Sequence, residues 1–163
     1  MITTELVKQL RDKTGISVMQ CKKALEETGG DIEKAETLLK QNSALIMAKK
    51  GGRTLGAGVV SSYVHATGVV GTMVELLCET DFVAKNEEFQ KLARDIAMHA
   101  TATNPKFLKS EDMTEGGLAE DVLLLQPFIK NPELTINNLI QQAVQKFGEK
   151  IELSRFVRYS ISR

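Results

Sequence analysis

Residues 59–85, VVSSYVHATGVVGTMVELLCETDFVAK, decide how this chain folds. Val59 to Ala66 and Val69 to Cys78 are valine-rich runs on either side of Thr67-Gly68, the composition and turn chemistry of a β-hairpin. The second run is strongly apolar from Thr72 to Cys78, passes into Thr80-Asp81-Phe82-Val83, and gives way to a helical pattern near Asn86. A strand exit that sets a carboxylate beside a large aromatic is more than a plain turn needs, and loops projected from a rigid scaffold are where binding residues gather. Two readings of the pair stand open. In one, Phe82 folds back onto the sheet and Asp81 caps the next helix. In the other, both project into a partner.

Downstream, Asn86 to Thr103 reads as the longest helix, with Phe89, Leu92, Ala93, Ile96 and Ala100 on one side and Asn104-Pro105 ending it. Lys109 to Asp121 is polar, contains Gly116-Gly117, and reads as a short connection with little structure of its own. Val122 to Phe128 is apolar and fits either a strand or a helix. Thr135 to Phe147 is an amphipathic helix (Ile136, Leu139, Ile140, Ala143, Val144, Phe147) stopped by Gly148. The chain closes on a strand in which Ile151, Leu153, Val157, Tyr159 and Ile161 alternate with Glu152, Ser154, Arg158 and Ser160. Residues 59–163 are therefore expected to form an α+β core with a small antiparallel sheet packed on helices on one face.

Upstream, residues 1–40 read as three short helices. Leu6, Val7 and Leu10 form the first apolar stripe, and Gly15 breaks it. Ser17-Val18-Met19-Gln20 has the capping-box pattern, and Cys21, Ala24 and Leu25 continue that buried face. Gly29-Gly30 ends the second helix; Asp31 caps a third, whose face is Ile32, Ala35, Leu38 and Leu39. Either Val18 or Met19 must point away from so small a core, where an exposed apolar side chain suits partner contact. Residues 41–58 are expected to be a linker: a short helical piece from Ala44 to Lys50 runs into a stretch with four glycines, Gly51-Gly52-Arg53-Thr54-Leu55-Gly56-Ala57-Gly58. No Gly-Lys-Ser/Thr follows those glycines, which argues against a phosphate-cradling loop.

Composition narrows the function classes. The 21 basic and 21 acidic residues cancel, so no global charge draws the chain to nucleic acid or to an anionic membrane. No apolar run approaches the roughly 20 residues of a membrane span. Met1-Ile2-Thr3-Thr4-Glu5 lacks the basic and apolar regions of a signal peptide, and Cys21 and Cys78 read as reduced thiols, together indicating a cytoplasmic protein. His65 and His99 complete no triad; His99 falls on the apolar edge of the long helix, where a hydrogen-bonded core histidine is expected. No paired carboxylates and no metal-ligand spacing occur, so neither an enzyme nor a bound cofactor or metal is expected. Acidic residues closely follow Lys22-Lys23, which makes that pair a solvated face.

Three separated motifs carry a resemblance across nearly the whole chain. Leu10-Arg11-Asp12-Lys13-Thr14-Gly15, Met19 to Leu25 and Gly30 to Ala35 closely resemble the N-terminal module of translation elongation factor Ts. Cys78-Glu79-Thr80-Asp81-Phe82-Val83-Ala84-Lys85 resembles that family's signature, and Gln141 to Arg158 its closing helix and strand. The resemblance implies a guanine-nucleotide exchange factor for GDP-bound elongation factor Tu, built from a three-helix module like a ubiquitin-associated (UBA) domain, a linker and an α/β core. It implies that Thr80, Asp81, Phe82 and Val83 enter the partner's nucleotide-binding domain and disturb its magnesium and phosphate site. Arg11, Val18, Met19 and Lys23 match the contact-bearing motif of the N-terminal module. The chain departs from the pattern in having Val18-Met19 where many relatives have two methionines, and in having one core unit where some have two. The single core leads to the expectation of a homodimer. Two rival readings are a ubiquitin-type adaptor without exchange activity, which leaves the run from Thr72 to Lys85 unexplained, and a cysteine or histidine enzyme.

Overall fold

A computed structural model describes residues 2–49 and 52–162. It contains α1 (Thr4–Thr14), α2 (Val18–Glu27), α3 (Ile32–Lys49), β1 (Ala57–Val64), β2 (Val70–Cys78), α4 (Asp81–Ala84) and α5 (Glu87–Thr103). After these come β3 (Pro127–Phe128), β4 (Asn131–Thr135), α6 (Ile136–Phe147) and β5 (Glu152–Ser160). The α+β class is as expected. The chain divides into two compact units, Met1–Arg53 with Gln141–Lys150, and Thr54–Ile140 with Ile151–Arg163.

In the first unit, Val7, Leu10, Ile16, Cys21, Ala24, Leu25, Ala35 and Leu39 form a continuous buried core. Gly15 ends α1 at φ 70, the left-handed conformation that a glycine adopts without steric cost. Ser17 caps α2, its hydroxyl accepting from the Gln20 amide, and Asp31 Oδ1 accepts from the Lys34 amide at the start of α3. The third helix does not stop near residue 40. Residues 41–49, assigned to a linker from sequence, continue α3 without a break. Asn42 and Ser43 lower helix propensity at their start, but no glycine or proline interrupts the helix before Lys49. Ser43 is buried and donates to the Leu39 carbonyl at 3.0 Å and to Gln145 Oε1 at 3.1 Å. The segment 141–150, expected within the core domain, thus belongs with the helical unit. Lys50 and Gly51 lie outside the described residues.

In the second unit the three-stranded sheet runs β1-β2-β5, antiparallel throughout. The hairpin is as read from sequence, with β1 beginning two residues earlier. Gly58 belongs to that strand: a Cβ there would meet the Leu76 carbonyl oxygen at 2.5 Å. One face of β2 (Thr72, Val74, Leu76, Cys78) is buried with Phe89, Ala93, Ile96, Ala97 and Ala100 of α5. The segment 122–128 is neither regular strand nor α-helix: Val122 makes a single parallel bridge to Phe107, a 3-10 turn covers Leu123–Leu125, and Pro127 and Phe128 pair with β4.

The closing strand corrects the single alternation read for it. Leu153 pairs with Leu76 and Arg155 with Glu75, so Ser154 is an extra residue in the ladder, a β-bulge. Its hydroxyl donates to Glu75 Oε1 at 2.6 Å, and Arg155 makes two bonds to Glu75 Oε2 at 3.1 and 3.0 Å. The bulge exchanges the faces of the strand beyond it. Leu153 is buried, yet Val157 and Tyr159 turn outward and Arg158 turns toward α5, where its guanidinium donates to the Thr101 carbonyl. The outer sheet face consequently exposes Val60, Val64, Met73, Val157 and Tyr159.

Candidate functional site

The four residues Thr80 to Val83 divide into two that project and two that hold them. Thr80 leaves β2 in an extended conformation and caps α4, its hydroxyl accepting from the Val83 amide at 3.5 Å. Val83 and Ala84 are buried at 8% and 7% exposure, so the turn is seated on the unit's core through them. Helical geometry then carries the two preceding side chains to the opposite side, and Phe82 is 87% exposed. A phenyl ring left in water on so small a turn forgoes roughly 1.5–3 kcal/mol of burial that another surface could supply. Phe82 does not fold back onto the sheet.

Asp81 is exposed beside it. Its Oδ2 accepts from Lys85 Nζ at 3.1 Å across one helical turn. That hydrogen bond and the nearby ammonium charge hold the carboxyl below its usual range, with the Asp81 and Phe82 backbone amides contributing, so it is ionised at neutral pH. Asp81 therefore stands in the first turn of α4, and the cap is Thr80. The i, i+4 relation to Lys85 is legible in the sequence, though it was not among the expected site features.

Two further contacts hold the turn and carried no sequence signal. The Cys78 thiol, fully buried, donates to the Thr80 carbonyl at 3.2 Å. From the first turn of α5, Gln90 Nε2 donates to the Ala84 carbonyl at 3.3 Å. Asn86 caps α5, accepting from the Glu88 amide at 2.8 Å, and so sets the direction of that helix close behind α4.

On the first unit, Arg11, Val18, Met19 and Lys23 are all exposed around the junction of α1 and α2. Val18 is 52% and Met19 82% exposed, so both side chains face outward rather than one of them. Ile16 explains the difference. Immediately before the Ser17 cap, it plugs the core at 3% exposure, and the Cys21 thiol donates to its carbonyl. Lys23 stands 4.0 Å from Glu27 on a solvated face.

The histidines take different settings. His99 is fully buried, with Nε2 2.9 Å from Gln126 Oε1 and Nδ1 accepting from the Ile129 amide, the hydrogen-bonded core role expected for it. His65 is exposed beside the Tyr63 hydroxyl. Among the described residues no three His, Cys, Asp or Glu side chains converge as a metal site, and no helix is long and apolar enough to cross a membrane.

The chain is similar to known proteins over nearly its whole length. Residues 1–46 match the family model described as "Elongation factor Ts, mitochondrial, N-terminal", and residues 46–120 match "Elongation factor TS". Elongation factor Ts of Carboxydothermus hydrogenoformans is 42% identical over 194 aligned positions, covering 99% of this chain and 89% of the relative. That of Thermodesulfovibrio yellowstonii is also 42% identical, covering 99% and 97%, and that of Thermosipho melanesiensis 40%, covering 99% of each. Since 194 positions are aligned to a chain of 163, these relatives carry residues that this chain lacks. With an exposed Asp-Phe tip, a helical N-terminal module and near-complete coverage of its relatives, this chain belongs to the elongation factor Ts family, proteins of translation elongation.

Proposed function

We propose that this protein is a cytoplasmic guanine-nucleotide exchange factor for elongation factor Tu. Family membership supports the partner class. The observation that carries the mechanism is Phe82, exposed on a turn whose other side is anchored by Val83 and Ala84. Exchange needs no bond to be made or broken in the protein. It needs the factor and GDP each to weaken the other's binding to the GTPase, a coupling that is reciprocal by linkage.

Phe82 supplies that coupling as a wedge. Its burial stabilises the nucleotide-weak state of the partner if the receiving pocket opens only in that state. Asp81 brings an ionised carboxylate toward the magnesium and phosphate shell, where repulsion disfavours the bound anion and altered hydrogen bonding disfavours the metal. Thr80 and Val83 serve the same act from behind, one as cap and one as anchor. Arg11, Val18, Met19 and Lys23 hold the factor on the partner through the first unit, with Met19 as the principal apolar contact.

Two chains acting as a pair complete the partner-binding core. The outer sheet face, apolar around Val157 and Tyr159, offers surface that pairing would cover. A stopped-flow record of GDP release from elongation factor Tu, with and without this protein, tests the reading. Acceleration by added factor is expected; an unchanged release rate overturns it.

A further inference from the structure

The turn that carries Phe82 is four residues long, too short to persist through its own hydrogen bonds, because the first turn of a helix fixes several dihedral angles for a single bond. Within it, the Ala84 amide donates to the Thr80 carbonyl at 3.2 Å and the Lys85 amide to the Asp81 carbonyl at 2.9 Å. The carbonyls at a helix C-terminus have no partner inside the helix and must find one elsewhere. At Ala84 that partner is the Gln90 side-chain amide, reaching back from α5. At the other end the Thr80 carbonyl accepts from the Cys78 thiol as well as from the Ala84 amide. Both ends of the turn are therefore bracketed by side chains from neighbouring elements, while Val83 and Ala84 seat it from below.

We propose that Gln90 is a positioning residue for nucleotide exchange: by holding the Ala84 carbonyl it keeps α4 formed, so that Phe82 is presented as a wedge before the partner arrives. The inference rests on the wedge reading of Phe82. Gln90 is itself exposed, in the first turn of a helix otherwise anchored by Phe89, Ala93 and Ile96, so the fold does not depend on its side chain. Cys78 forms the second bracket, but it lies in the core, where replacement also disturbs packing. A turn that opens in the free protein must be reordered at docking, and the competent fraction scales the rate of wedge insertion. The first unit's contacts lie elsewhere on the chain, so loss of the bracket lowers the maximal rate rather than the affinity.

The test compares Gln90→Met, which keeps chain length and helix propensity but removes the donor, with Gln90→Lys, which restores a donor. Stimulated GDP release is measured over a range of factor concentrations, and hydrogen exchange is followed at the Lys85 amide. For Gln90→Met the maximal rate falls about 2- to 10-fold, the net worth of one hydrogen bond. The half-saturating concentration stays put. Exchange at Lys85 accelerates by a similar factor while the sheet amides keep their protection, and Gln90→Lys recovers most of both. Adding Gln90→Met to Phe82→Ala costs less than about 2-fold more, since the two changes act through one element. Unchanged release and unchanged protection in Gln90→Met overturn the proposal, and so does a loss that Gln90→Lys fails to recover. If Phe82→Ala leaves release unchanged, the wedge reading itself falls, while the hydrogen-exchange comparison still decides whether Gln90 holds the turn.

Discussion

Phe82 and Asp81 sit next to each other and should fail differently when replaced. Phe82→Ala removes an exposed ring, so the fold should keep its melting temperature while stimulated GDP release falls about 10- to 100-fold, the rate equivalent of 1.5–3 kcal/mol of lost burial. Release within 2-fold of the parent would remove the wedge from the mechanism. Asp81→Asn keeps the shape and discards the charge together with its exposed ion pair to Lys85, so the magnesium-dependent part of its loss belongs to the metal and phosphate shell. Stimulated release by Asp81→Asn should fall about 3- to 10-fold in millimolar magnesium, and the deficit should shrink toward parity once magnesium is chelated. A deficit independent of magnesium would assign Asp81 to ordinary contact instead. At this scale much was legible in the sequence: an aromatic and a carboxylate at a strand exit stand out on composition alone. Val83 did not declare its role, because burial of one residue in a four-residue turn depends on what the sheet and α5 place beneath it.

Among the elements, those whose signal is local were legible and those decided by a partner strand were not. The hairpin of β1 and β2 follows from valine-rich runs and a Thr-Gly turn, and α5 and α6 follow from their apolar spacing. The bulge at Ser154 arises from the register against Glu75 and Leu76, which no periodicity in residues 151–161 records. The tie between α5 and the β3–β4 hairpin is another non-local device, and it makes a prediction about pH. His99 accepts from the Ile129 amide through Nδ1 and meets Gln126 through Nε2, which suits the neutral ring; burial lowers its pKa from 6.5, partly offset by the Gln126 bond. The unfolded chain therefore takes up a proton near pH 6.5 that the folded protein refuses. Stability from this group is complete above that pH and is lost as pH falls from about 6.5 toward the lowered value, by at most about 1.4 kcal/mol per pH unit. Asp31, Glu36, Glu75 and Asp81, all lowered from ordinary carboxyl values, lose their contributions at more acidic pH. Urea midpoints at pH 7.5 and 5.5 should differ in the parent and converge in His99→Asn, after allowing for that variant's lower stability overall. Equal pH dependence in the two proteins would exclude His99 as the source.

For the whole molecule, the bulge in β5 has the largest consequence. By exchanging faces it puts Tyr159 outward at 76% exposure and Val157 beside it, on the same side of the sheet as Val60, Val64 and Met73. A contiguous apolar sheet face on a single-core chain is what a two-fold pair could cover, and a two-fold interface sets the same patch against itself. One substitution therefore enters the interface twice. Tyr159→Lys brings two ammonium groups into a desolvated contact, a cost of several kcal/mol that an exposed position in the isolated chain does not pay. Sedimentation equilibrium at micromolar concentration should give twice the chain mass for the parent and the single-chain mass for Tyr159→Lys, with matching circular dichroism. If pairing completes the partner-binding core, the monomeric variant should still accelerate GDP release through its intact Phe82 tip but need a higher concentration to do so. A monomeric parent protein would end the pairing account and leave one chain to present the wedge alone.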